Sequence, residues 1–140
     1  MRPQIESPTD PAPHGRRTTT TVLWTVQVLL GVGFVVMGLI RLTGASTAVE
    51  TFEQIGLGQW LRYVTGVIEL TVGIGLLIPR LAGPAALALV GVMAGATAAN
   101  LLVLSPAMAA VTVALGVAAA AVARARWAEV RGLLALVTRR

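Results

Sequence analysis

Four blocks of apolar residues, each about as long as a bilayer is thick, dominate the chain, and polar residues fall almost wholly between them. The blocks cover residues 22–40, 60–78, 85–104 and 107–123. About 20 residues at roughly 1.5 Å each cross the hydrocarbon core, so each block predicts a transmembrane helix. None alternates apolar and polar with period two, which argues against a β-barrel. The breaks are a tight turn over Pro79-Arg80-Leu81-Ala82-Gly83-Pro84, the Ser105-Pro106 dipeptide, and one sizeable loop over 41–59. In that loop Val49, Phe52 and Ile55 recur at helical intervals, Thr47 and Glu50 are spaced as a capping box, and Gly56 can end a helix. The pattern predicts a short amphipathic helix over 47–55 that seals the outer end of a bundle.

The flanks read differently. Residues 1–21 hold four prolines and almost no apolar side chains, the composition of a disordered tail. The last stretch, 124–140, is too short and too basic to span again. Trp127, Val130, Leu134 and Val137 share one helical face, and Arg124, Arg131 and the terminal arginines can reach lipid phosphates, which predicts an interfacial helix. The fold class is therefore all-α: an integral membrane four-helix bundle with a short outer-loop helix and an interfacial C-terminal helix. Small residues mark where the spans should approach one another: Gly31, Gly33 and Gly38 in the first, Gly91, Gly95 and Ala99 in the third, and Ala110, Ala114 and Ala118 in the fourth. Gln27 reads as an interhelical hydrogen-bonding residue.

Composition narrows the function. Of 140 residues 56% are apolar and only 12% charged, too few to cover a soluble domain. Mean hydropathy is +0.81, and one membrane domain accounts for the chain. There is no cysteine, which removes disulfides, thiol chemistry, iron–sulfur clusters and thiolate zinc sites. The one histidine, His14, lies in the Pro-rich tail, so one chain cannot supply bis-histidine haem ligation, and no metal-spaced ligand cluster is present. All eleven basic residues are arginine, and they sit at segment ends, where topology rather than nucleic acid accounts for the net charge of +5. Arg16-Arg17 resembles an export signal, but the apolar block after it is longer than the 7–15 residues of a typical signal core. Three arginines precede the first span and five follow the last, so positive-inside counting puts both termini in the cytoplasm. Trp24 and Trp127 then fall at the inner interface and Trp60 at the outer one.

Chemistry concentrates on Glu69, about nine residues, or roughly 13 Å, from the outer end of the second span. A charged side chain at the centre of a span costs about 2.5–3.5 kcal/mol on insertion scales, so an offsetting partner is required. Gly66 and Gly73 lie on the same helical face as the acid and let a neighbouring helix come close. That face should point inward. The candidate partners are Arg41, leaving the first span, and Asn100, near the outer end of the third; Arg62 shares Glu69's face about 10 Å away along the axis. Glu69, Arg41, Asn100 and Arg62 form a candidate polar pocket open to the outside. Fixing the packing is the competing role for the acid. No phosphate loop, nucleophile elbow or metal motif is present, and no catalytic residue is assigned.

The segments GLIRLTG, FEQIGLGQWLRYVTGVIELTVGIGLLIPR and the glycine-rich third span ending near Asn100 resemble the DoxX-like membrane proteins over about residues 29–104. Gly38-Leu39-Ile40-Arg41 stands where that family usually shows Gly-Leu-x-Lys, Gly56-Leu57-Gly58 where it often has Gly-Leu-Pro, and Gly66 and Glu69 fit its Gly-x-x-Glu element. The resemblance implies a four-helix bundle in a bacterial inner membrane. Relatives are linked to thiosulfate:quinone oxidoreduction and to membrane complexes that handle oxidative stress. It implies an accessory or quinone-proximal subunit, with quinone as cofactor and redox subunits as partners beside the lipid bilayer. The alternatives are a small-molecule binding or proton-coupled transport bundle and a purely structural subunit.

Overall fold

Six helices and no strand make up residues 14–138, the part of the chain described by the computed structural model. They are α1 (His14–Thr43), α2 (Ser46–Ile55), α3 (Gln59–Leu77), α4 (Ala82–Leu102), α5 (Pro106–Ala125) and α6 (Trp127–Thr138). Four of them, α1, α3, α4 and α5, are long and apolar enough to cross a membrane. α1 packs on α3, α3 on α4, α4 on α5 and α5 on α1, so the four close into an up-down-up-down ring. Leu30, Phe34, Val72, Leu76, Leu89, Met93 and Val122 fill its centre. Large apolar side chains such as Leu29, Leu102 and Val117 point outward, as expected of helices whose outer solvent is hydrocarbon.

The first helix starts earlier than composition predicts. Residues 14–21 are helical rather than part of a disordered tail, while the expectation for residues 1–13 lies outside the described residues. A threonine run is polar but can continue a helix already nucleated by a span, because each hydroxyl can bond back one turn. Thr21 Oγ1 donates to the Arg17 carbonyl at 3.0 Å and Thr25 Oγ1 to Thr21 at 2.9 Å.

At the other end of α1, Gly44 turns the chain at φ 75° and α2 follows. The capping box does not form: the residue before α2 is Ala45, and Thr47 lies inside the first turn with its carbonyl accepting from Thr51 Oγ1 at 2.7 Å. Gly56 ends the helix at φ 77°, a left-handed conformation that glycine adopts freely, its N–H shared by the Phe52 and Glu53 carbonyls. α2 buries Ala48 and Phe52 against the ends of α1 and α3. Gln59 Nε2 ties it down by donating to the Val49 carbonyl at 3.2 Å.

Small residues make the close contacts, but not all those that spacing suggests. Gly33, Gly91 and Gly95 face open space. α4 packs through Ala82, Ala86, Leu89 and Met93, and Gly91 stands about 200° around the helix from Leu89. In α5 the buried positions are Ala109, Ala119, Val122 and Ala123; Ala110 and Ala114 point outward and Ala118 is half-buried. The predicted face of α6 is likewise divided. Val130 is buried, whereas Trp127, Leu134 and Val137 are exposed. α6 is held by its first turn, where Glu129 accepts from the Gly83 N–H at 3.1 Å, satisfying one of the free donors at the start of α4. Arg126 bonds Glu129 at 2.8 Å and lies over the Trp24 ring, so α6 and the start of α1 share one end of the bundle.

Candidate functional site

Glu69 sits ten residues into α3, about 15 Å from its start, and is 2% exposed. Gly66 and Gly73 flank it on one face, and α1 presents Gly38 and Gly31 opposite them in antiparallel register. A Cβ added at Gly73 would stand 2.7 Å from the Val35 nitrogen; one at Gly38 would stand 2.8 Å from the Gly66 carbonyl oxygen. The buried Glu69 side chain belongs to this close contact between the two backbones.

Its partner is Arg41. α1 continues three residues past the end of its apolar block, to Thr43, which carries Arg41 round onto the α3 face. Arg41 Nε donates to Glu69 Oε2 at 2.6 Å. The guanidinium also lies over the Phe52 ring of α2, 5.5 Å from its centroid, which places the amphipathic helix directly above the ion pair. Only Nε of Arg41 is engaged. Neither Nη group nor Glu69 Oε1 has a hydrogen bond among the described residues, and none of these atoms is sealed from the surface.

Arg62 joins the cluster without touching the acid. Its Nε donates to Gln59 Oε1 at 2.7 Å, its Nη1 donates to the Arg41 backbone carbonyl, and its guanidinium lies over the Tyr63 ring at 4.2 Å. It therefore caps the end of α1, taking one of the carbonyls that the last helical turn leaves unsatisfied. Asn100 is not part of the group: its Nδ2 donates to Ala96 one turn back at 2.9 Å, and no hydrogen bond joins it to Glu69. A shared place in the outer half of the bundle made it a candidate in the sequence, but its own helix supplies its partner.

Gln59, Phe52 and Tyr63 are the residues that sequence reasoning missed. The spacing of Gln59 and Arg62, one helical turn apart at the start of a span, was the available signal. Gln27 does bridge helices. It is fully buried, and its Nε2 donates to the Leu76 carbonyl at 2.6 Å. α3 ends at Leu77 before Pro79, so Leu76 has no N–H one turn ahead within the helix, and the glutamine from α1 supplies one.

A groove of about 560 Å³ lies elsewhere, between α4 and α5, lined by Met93, Thr97, Leu101, Thr112, Val113 and Gly116 among others. It carries no charge, and its two hydroxyls bond each other at 2.8 Å. It shares no lining residue with the Arg41–Glu69 pair. Among the described residues no three of His, Cys, Asp and Glu gather as metal ligands. For an organic headgroup the donor set is better: the Arg41 Nη groups can donate to a carbonyl or oxyanion, and Glu69 Oε1 can accept from a hydroxyl.

Residues 25–122 match the profile of the DoxX-like family, a stretch that contains Arg41, Arg62, Glu69 and Asn100 and stops before α6. No curated protein and no solved structure matches the chain.

Proposed function

For this chain, which belongs to the DoxX-like family and is a multi-pass membrane protein, we propose the role of an accessory, quinone-proximal subunit of a membrane redox or oxidative-stress complex. The observation that carries it is the half-engaged ion pair. Arg41 holds Glu69 through Nε alone, leaving two Nη groups and one carboxylate oxygen available at the end of the bundle covered by α2. These are the donors and the acceptor that a quinone headgroup needs, and a quinone, when bound, supplies the two-electron, two-proton carriage that this cysteine-free chain cannot. The chain's own part is to orient the headgroup with Arg41, to hold or accept a proton at Glu69 Oε1, and to keep water out with Phe52. Electrons come from a partner subunit. Native mass spectrometry of the gently extracted complex should show a quinone mass and at least one further subunit. A wild-type protein carrying phospholipid alone would sink the proposal.

A second reading, a small binding or proton-coupled transport bundle, is favoured by one feature. α2 lies over the pair as a cover that Gly44 and Gly56 could allow to swing. Uptake lost in Glu69→Gln would select it over the first.

We place the chain in a bacterial inner membrane with both termini cytoplasmic, and α6 at the inner interface. The supports are the arginine excess at both ends and the pairing of Arg126 with Trp24 at the end that also holds α6. Reporter fusions after Arg140 and within residues 45–57 should report opposite sides, and an external C-terminus would refute the topology.

A further inference from the structure

We propose that Arg62 is the centre of a binding site for one phosphate group, at the end of the bundle covered by α2. The inference stands on the charge balance there and does not depend on the redox reading. Arg62 is 4% exposed yet enters no ion pair; among the described residues the pairs are Arg41–Glu69 and Arg126–Glu129. The groups that hold it are neutral: Gln59 Oε1, the Arg41 carbonyl and the Tyr63 ring. The acid in α3, Glu69, is taken by Arg41. Glu50 and Glu53 on α2 are exposed and form no ion pair with Arg62. The carbonyl end of α1 supplies about half a negative charge, but Arg62 lies in the first turn of α3, where the helix contributes about the same of opposite sign. A buried arginine left in this balance carries a substantial cost that an anion would remove.

The geometry offers that anion a seat. Arg62 Nη2 and both Nη groups of Arg41 have no hydrogen bond, and none is sealed from the surface. The Arg62 side chain is tied to the end of α1, since its Nη1 donates to the Arg41 backbone carbonyl. Gly44 lies beside Arg62; a Cβ there would stand 3.6 Å from Arg62 Nη1, in ordinary van der Waals contact. A planar guanidinium with one nitrogen unengaged can donate to the oxygens of a tetrahedral oxyanion. Phosphate at this depth can come from a phospholipid headgroup or from solution.

The test uses the full chain, purified in detergent and stripped of lipid, then titrated separately with phosphatidylglycerol and with inorganic phosphate. Bound mass and thermal midpoint are read together. The wild type should take up one saturating equivalent with a rise in midpoint. Arg62→Gln should weaken that binding by about tenfold to a hundredfold, the worth of hydrogen bonds to a charged group. Arg80→Gln, a change at an exposed arginine in the turn between α3 and α4, should leave it unaltered. A response to the lipid alone identifies a headgroup site, and a response to both probes identifies a site for phosphate as such. Absence of saturable binding of either probe by the wild type overturns the proposal, as does wild-type affinity in Arg62→Gln. If that variant does not fold, Arg62→Lys decides: it keeps the charge, loses the planar fork, and should bind severalfold more weakly, whereas undiminished affinity refutes the site.

Discussion

Arg41→Ala should destabilise the bundle more than Glu69→Ala, and the double variant should be more stable than Arg41→Ala alone. The two partners are unequally placed: the Glu69 side chain is 3% exposed and that of Arg41 20%. Removing the arginine leaves a carboxylate between α1 and α3 with no hydrogen bond, and stranding one member of a buried pair costs about 3–5 kcal/mol. Removing the acid leaves a long side chain in the last turn of α1 that can turn its charge to the surface and stay near the favourable carbonyl end of its helix. That loss should be smaller, about 1–3 kcal/mol, for a hydrogen bond to a charged group. The double variant removes the stranded charge, so it should fall close to Glu69→Ala, with a coupling of about 0.5–3 kcal/mol. Glu69→Gln keeps an acceptor oxygen for Arg41 Nε and should lie nearer the wild type than either alanine variant. Reversible unfolding of the four variants in one detergent measures all of this. Simply additive losses would mean that the ion pair contributes no coupling.

The parts of this site that were legible in the sequence were those forced by a local cost. An acid in the middle of an apolar span needs a partner, and glycines three before and four after it identify the side from which a neighbour arrives. Those two facts lead to the α1–α3 contact and, because Arg41 closes the first span, to the ion pair. Asn100 was proposed on depth alone, and depth says nothing about which way a side chain turns or whether its own helix will satisfy it. Arg62 shares a face with Glu69, but its partner is a backbone carbonyl at the end of another helix, and no residue type announces an unsatisfied carbonyl. The glycines of α4 failed for a related reason. Small residues four apart permit close packing, but the ring of helices settles which face is used, and α4 uses the one bearing Leu89 and Met93. The early start of α1 escaped because composition scores threonine as polar without counting the carbonyl one turn back that each hydroxyl can use.

Gly73→Ala should be among the most damaging single-methyl changes in the chain, and Gly95→Ala should do almost nothing. At Gly73 the new Cβ would lie 2.7 Å from the Val35 nitrogen and 2.9 Å from the Gly31 carbonyl oxygen. Both are backbone atoms of α1, which cannot rotate away, so the two helices must separate. Overpacking of this kind costs about 1–3 kcal/mol, and the upper end applies where rigid main chain is struck. Gly38→Ala meets the Gly66 carbonyl oxygen and the Leu70 nitrogen, each at 2.8 Å, and should behave alike. Gly31→Ala is the graded case. It meets Leu77 Cδ2 at 2.8 Å, a side-chain end that can change rotamer, and backbone only at the Gly73 carbonyl oxygen, 3.1 Å away, so its loss should be smaller. Gly33 and Gly95 have nothing within 4 Å of an added Cβ, and the better helix propensity of alanine should leave those variants unchanged or slightly more stable. The damage at Gly73 should also reach the ion pair. Moving α1 away from α3 draws Arg41 from Glu69, so Arg41→Ala should cost less in a Gly73→Ala background than in the wild type. Thermal midpoints of the single and combined variants test the whole series. A Gly73→Ala protein as stable as the wild type would show that α1 and α3 do not meet backbone to backbone beside Glu69.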